Sequence, residues 1–254
     1  MDKKLVVYMD DLNMPKVDNY GTMQPIALLK LLIERGGFFD RAKGLHWKNM
    51  KDVQFVGSMN PPGGARNHVD QRFISLFNVV EVQPPTRENL RSIFTTLLRH
   101  CTLSLPEETS SAIEQLTPMT LQLYEHTLES LLPTPQRFHY IFNLRDLSQV
   151  FEGVSFATPE KVPDGASVMR LWRNECMRVF HDRLISDSDR GFITGTIESL
   201  LHKHAPSADD ATFALADPLL YGDLLSASEE TNNPRVYEDM GSYSAVKQAV
   251  ERCV

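Results

Sequence analysis

The chain has 254 residues, of which 42% are hydrophobic and 23% charged, and a formal net charge of -7. This composition excludes a disordered or fibrous chain, and the length allows a sizeable core in one large or two smaller domains, here read as two. The acidic balance argues against nucleic acid or an anionic membrane as the main partner. No apolar run reaches the roughly 18 residues of a membrane-spanning helix, so no nucleic-acid and no membrane partner is expected.

The start, MDKKLVVYMDD, lacks a cleavage region of small residues after a short apolar core, so an intracellular soluble protein is expected. Cys101, Cys176 and Cys253 are odd in number, far apart and without CxxC spacing, and read as reduced thiols rather than a disulfide framework or a zinc site.

In chain order, Leu5, Val6, Val7, Tyr8 and Met9 form an apolar run suited to a buried parallel strand, and Asp10 and Asp11 stand at its carboxyl end. In an open α/β sheet ligands bind beyond the strand ends, and acids there suit a divalent cation. Residues 13–22 read as a loop, and Pro25 opens a mostly buried helix with Ile26, Leu28, Leu29, Leu32 and Ile33 that stops at Gly36 and Gly37. Residues 38–50 read as a hairpin turning near Lys43 and Gly44.

Residues 53–59 repeat the first strand, with Asn60 in place of the acid before Pro61, Pro62, Gly63 and Gly64. Arg72 and Phe73 fall on a short segment, and residues 79–82, VVEV, read as a third strand. Thr86 caps an amphipathic helix carrying Leu90, Ile93, Phe94, Leu97 and Leu98. Beyond it strand signals stop. Residues 106–116, 119–132 and 138–151 are expected as three helices, 155–165 as a loop, and Val168 to Leu184 and Phe192 to Leu201 as two more. Phe213 to Tyr221 reads as a short strand and loop, residues 226–234 as exposed, and 243–253 as a helix. The change of pattern near residue 100 gives two domains, 1–100 and 101–254, α/β followed by all-α.

Asp10 can hold magnesium through water and Asp11 can orient an attacking water; the alternative is that the pair merely caps backbone groups. Asn60 can polarise the same water, or it can be ordinary turn chemistry. Arg72 and Arg145 can each reach a phosphate or lie on a solvated face. His202 and His204 lack companion ligands, and Trp47 and Trp172 read as packing residues.

The order of these signals, with the wording VVYMDDLNMP, YGTMQPIALLKLLIERGGFFDR, VQFVGSMNPPGG, RFISLFNVV and YIFNLRDLSQVFEG, resembles a dynein heavy chain of axonemal type. The likeness is to its third AAA+ module, read from the Walker B strand onward. It implies a partial AAA+ large subdomain, strands three, four and five of a sheet ordered 5-1-4-3-2, plus a helical lid. Asp10 and Asp11 match the Walker B pair, Asn60 sensor I, Arg72 the arginine finger acting on the adjacent module, and Arg145 sensor II. The implied cofactors are ATP or ADP with Mg2+. The implied partners are neighbouring AAA+ modules, dynein intermediate and light chains and microtubules, in the cytoplasm, cytoskeleton and ciliary axoneme.

Two departures shape the expectation. Asp11 stands where efficient hydrolases of this class carry Glu, so slow hydrolysis is expected. The sequence also contains no GxxxxGK followed by Ser or Thr, the loop that cradles phosphates, so the chain is expected to be part of a larger one and not to bind ATP tightly alone. The alternatives are a non-enzymatic truncated dynein-like scaffold and a stand-alone AAA+ ATPase of another family.

Overall fold

A computed structural model describes residues 3–42, 44–63, 66–225 and 236–253. Lys43 and Gly64 of the expected turns, and residues 226–234, therefore lie outside the described residues. Contacts divide the chain into Met1–Gln83 and Pro84–Val254. The helix over Arg87–Cys101, grouped by sequence with the first part, belongs with the second because Phe94 and Leu98 enter the helical core and Phe94 stacks on Phe151 at 4.5 Å.

In the first unit β1 (Leu5–Met9) pairs in parallel with β4 (Val53–Gly57), Leu5 opposite Val53 and Met9 opposite Gly57. Between them run α1 (Gln24–Arg35) and the antiparallel hairpin of β2 (Gly37–Phe39) and β3 (Trp47–Asn49). Pro25 sits in the first turn of α1, and Gly36 ends it at φ 65°, a left-handed position that costs glycine nothing, its N–H bonding to the Leu32 carbonyl. Phe73, on the short α2 (Gln71–Ile74), anchors a small core with Met23, Ile26 and Val69.

Three sequence expectations are corrected here. β1 is parallel but not buried: Leu5, Val6 and Tyr8 are exposed, because the sheet holds two strands and little covers its faces. Of α1 only Ile26 is buried, for the same reason. Residues 79–82 form no ladder, and Val79, Val80 and Val82 are 70%, 80% and 86% exposed. An apolar run becomes a strand only where a neighbouring backbone takes its hydrogen bonds.

The second unit is helical: α3 (Arg87–Cys101), α4 (Ser110–Ser130), α5 (Leu144–Ser155), α6 (Gly165–Cys176) with a π-turn over Met177–His181, α7 (Asp187–His204), α8 (Ala208–Leu215) and α9 (Tyr243–Cys253). A two-residue pair, β5 (Tyr221–Gly222) and β6 (Glu238–Asp239), accompanies α8. Phe213 and Leu215 therefore lie on a helix rather than the expected strand. Residues 106–132, expected as two helices, are mostly one. Pro118 sits inside α4, where its missing N–H costs a helical bond, but burial of Leu116, Met119 and Leu123 on the same helix outweighs that loss.

The expected helix over residues 138–151 begins instead at Leu144. Asn143 caps it reciprocally with Asp146, and the preceding residues are held irregular by Arg183. This guanidinium bonds Asp146 at 3.1 Å and the carbonyls of His139 and Ile141 at 2.8 and 3.1 Å, and lies 4.7 Å over the Phe142 ring. Trp172 is fully buried and donates to Thr120 Oγ1 at 2.8 Å, a packing role as read from sequence.

His204 is half-buried, with Nδ1 3.0 Å from Gln115 Oε1. Burial, then the Lys203 charge, lowers its pKa from 6.5. The folded state thus holds fewer protons than the unfolded one as pH approaches that value. Its contribution is complete above 6.5 and is lost as pH falls through the depressed value. Urea titrations at pH 7 and pH 5.5 should show a smaller acid-induced loss of stability in His204→Gln than in the native chain.

Candidate functional site

The parallel pairing of β1 and β4 carries both chains out of the sheet on the same side, and the interstrand bonds continue past the strand ends. Ser58 N–H donates to the Met9 carbonyl at 2.9 Å and Leu12 N–H to the Ser58 carbonyl at 3.1 Å. Asp10 is thereby set against Ser58. Its Oδ1 accepts the Ser58 hydroxyl at 2.5 Å and the Asp11 N–H at 3.0 Å, while the Tyr8 hydroxyl donates to Ser58 Oγ at 2.9 Å. Asp11 follows in the left-handed region at φ 49°, a conformation in which Asp and Asn are the best tolerated side chains after glycine.

The turn that follows is strapped to the loop after β4. Asn13, 1% exposed, donates from Nδ2 to the Asn60 carbonyl at 2.8 Å, and its own carbonyl takes the Asn67 N–H at 2.9 Å. Asn67 Nδ2 reaches the Pro15 carbonyl at 3.0 Å. Arg66 Nη2 lies 3.2 Å from Asp11 Oδ1. The structure thus brings Asp10, Asp11 and the Asn60 backbone into one cluster, with the Asn60 side chain exposed. Beside it a cavity of about 620 Å³ is lined by Leu12, Ser58, Asn60, Phe73 and Val80.

Arg72 stands apart from the acids on α2, where Asp70 caps the helix by accepting the Arg72 N–H; its side chain is exposed. Arg145, in the helical unit, is also exposed, on the first turn of α5. The capping pair fixes its backbone, Asn143 Oδ1 accepting the Arg145 N–H at 2.8 Å and Asp146 Oδ2 the Asn143 N–H at 2.7 Å. A second cavity, about 720 Å³ in the helical unit, is lined by Arg173 and Arg178, but Asp217 and Glu175 already pair with them.

Sequence reading missed Ser58, Asn13 and Arg66, all of which touch the acid turn or its strap. Their only signal was nearness to the strand ends, which does not say which side chain turns inward. Among the described residues no three His, Cys, Asp or Glu cluster to hold a metal. Two hard carboxylates at a strand end nevertheless fit magnesium, which takes one or two from protein and fills its shell with water and substrate phosphates.

Residues 1–85 match the family model described as the P-loop containing dynein motor region, and residues 116–213 match the AAA+ lid domain. Over 99% of this chain, identity is 50% to the dynein-1-alpha heavy chain of the flagellar inner arm I1 complex of Chlamydomonas reinhardtii. The chain belongs to the dynein heavy-chain family. Identity is 48% over 97% of the chain to dynein axonemal heavy chain 10 of Homo sapiens, and 36% over 94% to dynein axonemal heavy chain 6 of Homo sapiens. The chain spans 6% of the length of each of these relatives. The dynein motor match coincides with the α/β unit and the lid match falls wholly inside the helical one, so the partial AAA+ large subdomain followed by a helical lid, expected from sequence, is the fold observed. No helix among the described residues is long and apolar enough to cross a membrane.

Proposed function

We propose that this chain supplies the Walker B, sensor and lid residues of a regulatory nucleotide site in the motor ring of an axonemal-type dynein heavy chain, within its third AAA+ module. The observation that carries the reading is the parallel β1–β4 pair, which sets Asp10 and Asp11 at one strand end and Asn60 just beyond the next. Asp10, oriented by Ser58, would hold Mg2+ through water, and the ion would neutralise charge on the phosphates of ATP. Asp11 orients a water, Asn60 polarises it, Arg145 addresses the phosphates from the lid, and Arg72 acts on the adjacent module's site.

Exposed apolar surface supports a larger sheet. Leu5, Val6 and Tyr8 on β1, with Val79, Val80 and Val82, are the residue types of strands covered on both faces, and they lie open here. Microtubules, intermediate and light chains and an axonemal location follow for the parent protein under the same reading.

The test uses the full-length protein that carries this segment. Asp10→Asn keeps the bond from Ser58 but removes the charge that holds the ion, and should weaken Mg2+-dependent ATP retention roughly tenfold. Unchanged retention, and an unchanged dependence on Mg2+ concentration, would remove the basis of the reading.

A further inference from the structure

We propose that Arg66 is the positioning residue for Asp11, tying the second acid to the loop that begins at Asn60, so that movement of Asn60 is delivered to the carboxylate. The inference rests on the nucleotide-site reading above and assigns to that site a residue which sequence reading passed over.

The pair is half-open, Arg66 at 33% and Asp11 at 43% side-chain exposure, and pairs of that kind add little to stability. What they fix here is position. The Arg66 backbone is locked to Gly63 by two reciprocal 3.1 Å bonds, and Arg66 Nε is buried and makes no hydrogen bond among the described residues. Buried donors left without an acceptor are few in proteins and call for a reason. Here the reason is reach: burying the stem of the guanidinium is what lets its far end, Nη2, meet Asp11 Oδ1 at 3.2 Å.

Asp11, the other partner, is held in an uncommon conformation. Its left-handed backbone is closed by the Met14 N–H on the Asp11 carbonyl at 3.0 Å, and such conformations persist where surrounding contacts over-determine them. The loop holds the turn at two places: Asn60 accepts from Asn13, and Arg66 engages Asp11. A ligand that draws Asn60 toward it therefore pulls on both ends of the acid turn. Because Arg66 takes Oδ1, the carboxylate presents Oδ2 to a water, and the choice of oxygen sets the line of attack.

The experiment compares wild type, Arg66→Ala, Arg66→Lys, Asp11→Asn and the Arg66→Ala/Asp11→Asn double variant in the full-length protein. ATP dissociation constants and single-turnover ATP hydrolysis are measured, with amide hydrogen exchange of the peptide over residues 10–15. Arg66→Ala should slow hydrolysis roughly tenfold, the scale of a small misplacement at a reacting centre, while the ATP dissociation constant moves less than about twofold. Arg66→Lys should recover part of the rate. The double variant should be no slower than Asp11→Asn alone, the signature of two residues acting as a unit. Exchange at Leu12 and Met14 should rise in Arg66→Ala without nucleotide, while exchange in α1 stays as in wild type, which shows that the unit is folded.

Losses that multiply in the double variant, affinity that falls as much as rate, or unchanged exchange at Leu12 and Met14 would each overturn the role of Arg66. If Asp11→Asn hydrolyses ATP as wild type does, the nucleotide-site reading itself fails and takes this proposal with it. That outcome is told apart by raised exchange in Arg66→Ala without any change in turnover.

Discussion

Replacing Gly153 by Ala should destabilise the helical unit by about 3 kcal/mol or more, although Ala is the better helix former by about 1 kcal/mol. Gly153 is a buried position of α5, and a Cβ there would overlap the Glu175 carboxylate of α6. That carboxylate cannot step aside cheaply. Glu175 is fully buried; Oε1 accepts the Tyr237 hydroxyl at 2.7 Å and Asn174 Nδ2 at 3.0 Å, and Oε2 takes Arg178 Nη2 at 2.7 Å and Nε at 3.0 Å. Burial, and then this bond to Glu175, push the Tyr237 hydroxyl well above its usual pKa, so it stays a donor across the accessible pH range. Displacing the carboxylate leaves a buried charge short of partners, the expensive way to break such a network. Urea unfolding followed by amide exchange in α5 and α6 reads the loss. In a Glu175→Ala background the Gly153→Ala cost should largely vanish, because the obstructing group is gone.

What the sequence made legible was local. Pro25 and Gly36 bracket α1, the turn residue Gly44 announces the hairpin, and the two apolar runs ending in Asp10–Asp11 and in Asn60 are the parallel pair with its acids at the strand ends. Each of these signals lies within a few residues of what it specifies. The misreadings share the opposite property. Residues 79–82 have strand composition, but a strand is completed by a partner that composition does not name. Residues 138–143 look helical, yet Arg183, some forty residues away, holds their carbonyls and the Asp146 cap. Pro118 argues for a break that the packing of Leu116, Met119 and Leu123 overrides.

The candidate site divides in the same way. The carboxylates and the amide were visible because they stand at the ends of recognisable strands. Ser58, Asn13 and Arg66, which aim and anchor them, were not, because an inward-facing polar side chain in a loop looks like any other until the loop's path is known. The roles of Asp10, Asp11, Asn60, Arg72 and Arg145 remain the proposal; what the fold adds is a set of neighbours through which each can be tested.

Arg170→Ala should cost the helical unit about 3 to 5 kcal/mol, because the buried guanidinium satisfies several acceptors at once, the half-buried Asp239 carboxylate among them. Arg170, 6% exposed on α6, spends its donors on one junction: Nε meets Asp239 at 2.7 Å, Nη1 the carbonyls of Ala216 at 2.5 Å and Phe213 at 3.3 Å, and Nη2 the Pro218 carbonyl at 2.7 Å. Its guanidinium also lies 5.6 Å from the centre of the Phe213 ring. The last carbonyls of a helix have no partner within it, and here Arg170 serves the end of α8 while Arg173 Nη1 reaches the carbonyls of Ala214 and Ala216 at 3.3 and 3.4 Å. Two arginines one helical turn apart on α6 therefore cap α8 and fasten the β5–β6 pair through Asp239. Arg170→Lys should lose nearly as much as Ala, because a single ammonium nitrogen cannot reach the acceptors that Nε, Nη1 and Nη2 meet from three separate positions. Arg170→Ala/Asp239→Asn should be less damaged than the sum of its single variants, since neither charge is then left without its partner. Thermal unfolding resolves the difference: at roughly 2 to 4 °C per kcal/mol for a unit of this size, Arg170→Ala should lower the midpoint by about 6 to 20 °C. A shift of only a degree or two would mean that α8 keeps its end without α6.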